Sequence, residues 1–115
     1  MKLKLLTAVA ALVASTSVIA GESEKFLWAN LGDCSGLYLA GQLESDKRGF
    51  KRIEDRVAVE REGLDASDAF DAGKSFGYFQ SMTQGFYINE RKHYPNGDWK
   101  ELRLQSIIEQ GCEHY

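Results

Sequence analysis

Cys34 and Cys112 are the only thiols in this 115-residue chain and the side chains best suited to covalent chemistry. They could form a disulfide, remain as reactive thiols or contribute to a metal site. Two cysteines so far apart, without clustered histidines, make a poor metal set, and nucleophilic chemistry needs an exposed, activated thiolate. We therefore expect a structural disulfide that closes a loop of about 79 residues and stabilises the fold by roughly 4.5 kcal/mol.

Other residue types that could support catalysis are few and scattered. The only histidines are His93 and His114, and neither has a carboxylate at a persuasive spacing. The chain has no glycine-rich phosphate loop, no Gly-x-Ser-x-Gly, no His-Glu-x-x-His and no Cys-x-x-Cys. Acid and base catalysis by the carboxylates near the C-terminus would need a cleft that the sequence does not indicate. We predict no catalytic residues, no cofactor and no metal ligands.

One aromatic and polar cluster is a candidate for binding a partner. It surrounds the single Pro-Asn-Gly-Asp turn signal at residues 95–98 and consists of Tyr87, His93, Tyr94 and Trp99. Tyrosine and tryptophan are favoured anchors in protein interfaces because they bring a large area with few torsions to restrict. The alternative is that these side chains form a small satellite cluster that covers one end of the fold.

The N-terminus has the pattern of a secretory signal peptide. Lys2 and Lys4 precede an apolar run over residues 5–14, and small side chains at Val18 and Ala20 precede the expected cut. This pattern predicts a signal peptide at 1–20 and a single domain at 21–115, exported to the periplasm or secreted as in Gram-negative bacteria. The apolar run is shorter than the roughly twenty residues of a transmembrane helix, so no membrane attachment is expected after cleavage.

Cleavage of the signal peptide would make the net charge of the chain more negative. The full sequence has a formal net charge of −3, and removal of two lysines and no acidic residue lowers it to about −5. An acidic chain is poorly suited to nucleic acid, which is bound through lysine and arginine side chains that neutralise phosphates. We therefore expect no nucleic-acid partner.

Helical periodicity recurs along the mature chain, and strand alternation does not. The first helix is predicted over about 23–45 with Cys34 on its apolar side, and Gly49 is expected to interrupt before a second helix begins. Asp65 or Ser67 can cap a third helix, which should end before Pro95. Asn96 or Asp98 can cap a fourth, expected to carry Cys112 on its inner face. The predicted apolar stripes are Leu27, Leu31, Cys34, Tyr38 and Gly41; Phe50, Ile53, Val57 and Leu64; Ala72, Phe76, Phe79, Thr83 and Phe86; and Trp99, Leu102, Leu104, Ile107 and Ile108.

Four helices with short connections predict an all-α fold, a small antiparallel up-down bundle closed by one disulfide. In that topology the first and last helices run in opposite directions, which places Cys112 opposite a residue near Asn30 or Cys34. The cysteine positions and the topology therefore agree. A three-helix or bent arrangement would also satisfy this requirement.

Small residues recur at four-residue steps in two of the predicted helices. The first row is Gly32, Gly36 and Ala40, and the second is Ala69, Gly73, Gly77, Ser81 and Gly85. Glycine within a helix costs about 1 kcal/mol relative to alanine, so such rows need a compensating reason. We expect both rows to let helices pack closely. The alternatives are a groove for a ligand or partner helix, or a third segment broken by its glycines.

Two short stretches carry a family resemblance. The segment Gly32-Asp33-Cys34-Ser35-Gly36-Leu37-Tyr38-Leu39-Ala40 resembles the opening of small exported helical proteins of Gram-negative bacteria. Gly77-Tyr78-Phe79, together with the cysteine near the C-terminus, resembles periplasmic immunity proteins that neutralise cell-wall-degrading toxins. The resemblance covers about twenty residues and lacks a second cysteine pair. It implies protein binding and assigns no residue a role.

These observations favour a non-catalytic protein-binding module with a protein partner. Two alternatives remain open at this point. One is a periplasmic stress or chaperone-like helical protein, in which protonation of carboxylates at low pH would expose the core. The other is a periplasmic immunity or inhibitor protein that neutralises a cell-wall-acting enzyme.

Overall fold

The computed structural model describes residues 20–115, with side chains from Phe26 onward. The predicted signal peptide lies almost entirely outside the described residues. The described chain is all-helical: α1 spans Ala20–Leu39, α2 Glu44–Arg61, α3 Ala66–His93 and α4 Trp99–Glu109, and a 3-10 turn follows at Cys112–His114. The predicted all-α bundle of four helices is confirmed. No helix within residues 20–115 is long and apolar enough to cross a membrane.

Contacts between helices establish the up-down order. Asn30 of α1 donates to the backbone oxygen of Gln110, and Leu37, two turns later, accepts from Arg103 of α4, so these helices are antiparallel. Along α3 the residue numbers rise in the same direction as along α1. A side chain at Gly32 would meet Phe76, and eight residues later the carbonyl of Ala40 accepts from Arg91. α1 and α3 are therefore parallel, and α1 has its most extensive contact with α3.

The predicted disulfide is confirmed. Cys34 and Cys112 are fully buried and bonded, with their Cα atoms 5.5 Å apart. Cys112 does not lie on the fourth helix, as helical periodicity predicted, but in the 3-10 turn that follows it. α4 ends at Glu109, and Gly111 adopts a left-handed conformation with φ 68°, which turns the chain back toward α1. Glycine suits this position because it has no Cβ to clash in that conformation.

The connection between α1 and α2 differs from the prediction. α1 ends at Leu39 rather than near residue 45, and Gly49 lies inside α2 instead of interrupting it. Gly49 is buried because the ring of Tyr38 occupies the space where a Cβ would stand. This glycine therefore serves the packing of α1 against α2 and does not break the helix.

The start and end of α3 follow the predicted signals. Asp65 is the N-cap, and its carboxylate accepts from the backbone N–H of Asp68 at 2.8 Å. The helix ends at His93, two residues before Pro95, as expected from the restriction that proline places on Tyr94. Asp98 precedes α4 at the N-cap position but makes no capping hydrogen bond through its side chain.

The core has α1 at its centre. The first two predicted stripes are largely correct, since Leu31, Cys34, Tyr38 and Ile53 are buried. On α4, Trp99 and Ile107 are buried as predicted and Arg103 shares their face, whereas Leu102, Leu104 and Ile108 are exposed. The buried apolar residues are Trp28, Leu31, Cys34, Leu37, Tyr38, Ala40, Ile53, Ala72, Tyr87, Trp99, Ile107 and Cys112.

Candidate functional site

The packing between α1 and α3 positions the most distinctive surface of the molecule. Gly32 and Gly36 lie directly against the α3 backbone, and a Cβ at Gly36 would stand 2.6 Å from the carbonyl oxygen of Gln80. Two polar pairs cross the same contact. The side-chain amide of Gln80 donates to the buried hydroxyl of Ser35 at 2.8 Å, and the hydroxyl of Thr83 donates to the carboxylate of Asp33. These contacts fix the rotation of α3 about its own axis.

That rotation corrects the predicted inner stripe of α3. Ala72 is buried and Phe76 is partly buried, as expected, but Phe79 and Phe86 are exposed. Their predicted inner positions are taken by Gln80 and Tyr87, which face α1 and α4. The physical reason is that Ser35 of α1 and Ser106 of α4 lie at these interfaces, and buried or half-buried polar groups require hydrogen-bonding partners.

The small-residue rows fall on opposite sides of this contact. In α1, Gly32, Gly36 and Ala40 are buried, and the two glycines allow the close approach of α3. In α3, a Cβ added at Gly73, Gly77 or Gly85 would meet nothing within 4 Å. The packing prediction for the α3 row is therefore wrong at these glycines. In the same row Ser81 is exposed and Ala69 is half-buried.

An exposed row of large apolar side chains lies on α3. Tyr78, Met82 and Phe86 follow one another at four-residue steps, so they form a ridge along one side of the helix. Their exposed fractions are 60, 53 and 51 %, respectively. Phe79 lies beside the ridge, with its ring edge-on to that of Tyr78 at 5.3 Å between centroids. We call Tyr78, Met82 and Phe86 the α3 apolar row.

A groove runs between this row and helices α1 and α4. Its volume is about 340 Å³, within the range of clefts that hold small ligands. The residues that line it, here called the Asp33 groove, are Asp33, Leu37, Met82, Thr83, Phe86, Tyr87, Ser106 and Gln110. Met82 and Phe86 belong to both features, so the groove opens directly beside the apolar row.

Asp33 is the only charged residue that lines this groove. Burial raises the pKa of its carboxyl group, because loss of water disfavours the charged form, and the hydrogen bond from Thr83 partly opposes that effect. Among the described residues, Asp33 belongs to none of the ion pairs. The groove therefore combines apolar walls with one carboxylate that has a hydrogen-bond donor but no cation.

The partner-binding cluster predicted from the sequence is divided by the fold. Tyr87 and Trp99 are only 8 % and 6 % exposed, so their assignment as surface anchors is corrected. Tyr87 faces Ser106 of α4, with 3.4 Å between their hydroxyl oxygens, and Trp99 shares the inner face of α4 with Arg103 and Ile107. His93 and Tyr94 are exposed at the end of α3. The four residues thus do not form one surface.

A buried ion pair that the sequence did not reveal lies near the C-terminal end of α1. The guanidinium of Arg103 donates to both carboxylate oxygens of Asp46, at 3.0 and 3.2 Å, and to the carbonyl of Leu37 at 2.8 Å. Asp46 also accepts from the backbone N–H of Leu43 at the start of α2. Both side chains are at most 6 % exposed. This network joins α1, α2 and α4 and is structural, because it is enclosed within the protein.

The histidine, cysteine and acidic side chains of the described residues form no group of three or more that could hold a metal ion. Of the carboxylates near the C-terminus that were considered for acid and base catalysis, Glu101 and Glu113 are exposed. Glu109 is half-buried and accepts a hydrogen bond from Gln105 on its own helix.

The chain matches no protein-family model, no curated protein and no solved structure.

Proposed function

We propose that this chain is a small exported, non-catalytic protein-binding module that contacts its partner through the α3 apolar row. The observation that carries the proposal is the exposure of Tyr78, Met82 and Phe86, each more than half accessible and aligned along one side of a single helix. Aromatic residues and methionine are enriched in protein interfaces, and aligned exposed apolar side chains are characteristic of contact surfaces.

The way α3 is held supports this role. Gly32 and Gly36 bring the α1 backbone against α3, and the pairs Ser35–Gln80 and Asp33–Thr83 fix its orientation. A rigid helix presents its side chains without further ordering on binding, which reduces the entropy lost when a complex forms. The row is therefore presented on a rigid element.

Two features support export to the periplasm or secretion. Residues 1–20 have the charge and apolar pattern of a signal peptide, and Cys34 and Cys112 form a disulfide. Disulfides persist in oxidising compartments and are rare in the cytosol. The partner is accordingly a protein that is accessible in the periplasm or outside the cell.

The proposal is tested by partner capture with surface variants. The full chain is expressed with its own N-terminal segment, purified from the periplasm with its disulfide intact, immobilised and exposed to periplasmic extract. Captured proteins are identified by mass spectrometry, purified and titrated against the wild type and Met82→Ser/Phe86→Ser. We expect one stoichiometric partner whose affinity falls at least tenfold in the double variant, because each lost anchor costs about 1 kcal/mol or more.

The matched control is Ile108→Ser, which removes an exposed apolar side chain from α4. It should bind the partner as the wild type does. Equal binding by Met82→Ser/Phe86→Ser would contradict the proposal, as would capture only after acid shock, which instead supports a chaperone-like role. A cell-wall-acting enzyme recovered as the partner would define the module as an immunity or inhibitor protein.

A further inference from the structure

The Asp33 groove has an uncompensated negative charge. Of the eight residues that line it, the seven besides Asp33 are uncharged, and they come from α1, α3, α4 and the residue that follows α4, Gln110. Thr83 supplies one hydrogen bond to the carboxylate, while the ion pairs among the described residues leave Asp33 without a cation. A half-buried carboxylate loses solvation without gaining the Coulombic attraction that an opposite charge would provide.

The walls of the groove favour a particular kind of cation. Leu37, Met82 and Phe86 provide apolar surface, and the exposed ring of Phe86 is available for stacking. Lysine and arginine side chains place an apolar stem on such a surface while the charged head reaches a carboxylate. A guanidinium group can in addition lie over an aromatic ring. A hydrated inorganic cation would gain nothing from these apolar walls.

We infer that the Asp33 groove receives a lysine or arginine side chain of the partner protein, with its charged head at the Asp33 carboxylate and its stem along Met82 and Phe86. This inference rests on the proposed function, and it specifies the chemistry of the partner: a basic side chain flanked by apolar residues that cover the α3 apolar row. The anchor resembles hot spots in which a charged group enters a pocket surrounded by contacts that exclude water.

The experiment uses a probe in place of the unknown partner. n-Butylguanidinium chloride, which has the charge and reach of an arginine side chain, is titrated into the ¹⁵N-labelled, disulfide-intact protein and followed by backbone amide shifts. n-Pentanol, which has a comparable apolar length and no charge, is titrated in parallel. We expect saturable shifts centred on residues 33, 82–87 and 106–110, with a dissociation constant on the order of millimolar for the guanidinium probe.

Asp33→Asn distinguishes the contribution of the negative charge to probe binding from that of the groove's shape. Asparagine is nearly isosteric with aspartate, and its carbonyl can still accept from Thr83. This variant should weaken n-butylguanidinium binding about fivefold or more and leave the n-pentanol shifts unchanged. Asp71→Asn is the matched control, since Asp71 is an exposed carboxylate on α3 that does not line the groove. It should bind the probe like the wild type.

Absence of saturable shifts in the groove would overturn the inference, as would equal guanidinium binding by the wild type and Asp33→Asn. Either result would leave the proposed function standing, because the apolar row can bind a partner without a basic anchor. Conversely, loss of partner capture in Asp33→Asn, alongside intact capture in Asp71→Asn, would extend the inference from the probe to the protein partner.

Discussion

The two rows of small residues have the same spacing and opposite environments. In α1, Gly32 and Gly36 lie against the α3 backbone, where no room exists for a Cβ. In α3, Gly73, Gly77 and Gly85 face open space. The unfavourable helix propensity of glycine is compensated by close packing in the first row, and no such contact compensates it in the second. Identical spacing can therefore arise from different structural requirements.

This comparison also distinguishes the two parallel helices by role. α1 is the central helix, in contact with α2, α3 and α4 and bonded covalently to the C-terminal segment. α3 uses one side for the bundle and exposes the α3 apolar row on another. Changes at the buried residues of α1 should mainly affect folding, and changes on the outer side of α3 should mainly affect binding.

Removal of the disulfide has the largest expected effect, because it releases α1 from the C-terminal segment. Cys34→Ser/Cys112→Ser should lower the free energy of unfolding by roughly 4.5 kcal/mol, since the crosslink restricts a long loop in the unfolded chain. Urea unfolding at neutral pH, followed by circular dichroism, measures the change. A loss below about 1 kcal/mol would show that noncovalent contacts of α1 are sufficient to hold it.

The buried ion pair joins α2 to α4 and also contacts α1 through the carbonyl of Leu37. Arg103→Leu should lower the free energy of unfolding by about 3 to 5 kcal/mol, because it leaves the Asp46 carboxylate buried without a cation. Lys47→Ala is the control: it removes an exposed ion pair with Glu44 and should change stability by less than about 1 kcal/mol. Equal effects in the two variants would contradict the structural role assigned to Arg103.

Adding a single methyl group at Gly36 tests whether α1 and α3 must be in close contact. Gly36→Ala places a Cβ 2.6 Å from the Gln80 carbonyl oxygen and 2.9 Å from the Cβ of Thr83. Because backbone atoms must move to accommodate it, the free energy of unfolding should fall by about 1 to 3 kcal/mol despite the better helix propensity of alanine. An unchanged urea midpoint would show that the helices can separate without loss of stability.

The same substitution on the outer side of α3 should have the opposite sign. Gly77→Ala and Gly85→Ala meet no atom within 4 Å, so each should raise the free energy of unfolding by about 0.5 to 1 kcal/mol through helix propensity. Thermal unfolding of the two variants beside Gly36→Ala measures the contrast. Destabilisation by the α3 variants would mean that this row is packed after all.

The smallest effect is expected at Asp33 and depends on pH. Its folded pKa is raised above the ordinary value of 3.8 by burial, so the ionised carboxylate disfavours folding above that folded pKa. Asp33→Asn should therefore raise the melting temperature slightly at pH 7, and the difference should disappear below the unfolded pKa, where the carboxyl group is protonated in both states. A lower melting temperature at pH 7 would contradict the prediction that the ionised carboxylate disfavours folding.

Where a helix has a single apolar stripe, periodicity alone correctly predicted which residues are buried. On α2 and in the first part of α1, the predicted stripe is the buried one, because few polar residues compete for the inner face. On α3 two stripes that share Ala72, Phe76 and Thr83 were available, and the sequence favoured the one that continues with Phe79 and Phe86. The hydrogen bond from Gln80 to Ser35 and the approach of Tyr87 to Ser106 favour the other, which leaves Phe86 at the surface.

The candidate site was correspondingly harder to predict than the fold. Tyr78, Met82 and Phe86 do share a four-residue spacing that could have marked a ridge, but their exposure depends on the rotation of α3. Asp33 had no sequence signal for its role, since its groove is formed by residues from three helices. The buried pair of Asp46 with Arg103 links residues 57 positions apart, beyond the reach of any local pattern.

The amino-acid sequence by itself determined the helical class, the caps and stop signals of α3 and the pairing of Cys34 with Cys112. These properties depend on local propensity, on side chains a few residues apart and on there being only two thiols. Only the tertiary structure decided which glycine row is packed, which side of α3 is exposed and that Asp33 lines a groove without a cation. Those properties depend on how α1, α3 and α4 meet, and that arrangement minimises the free energy of the whole chain, which no single helix determines.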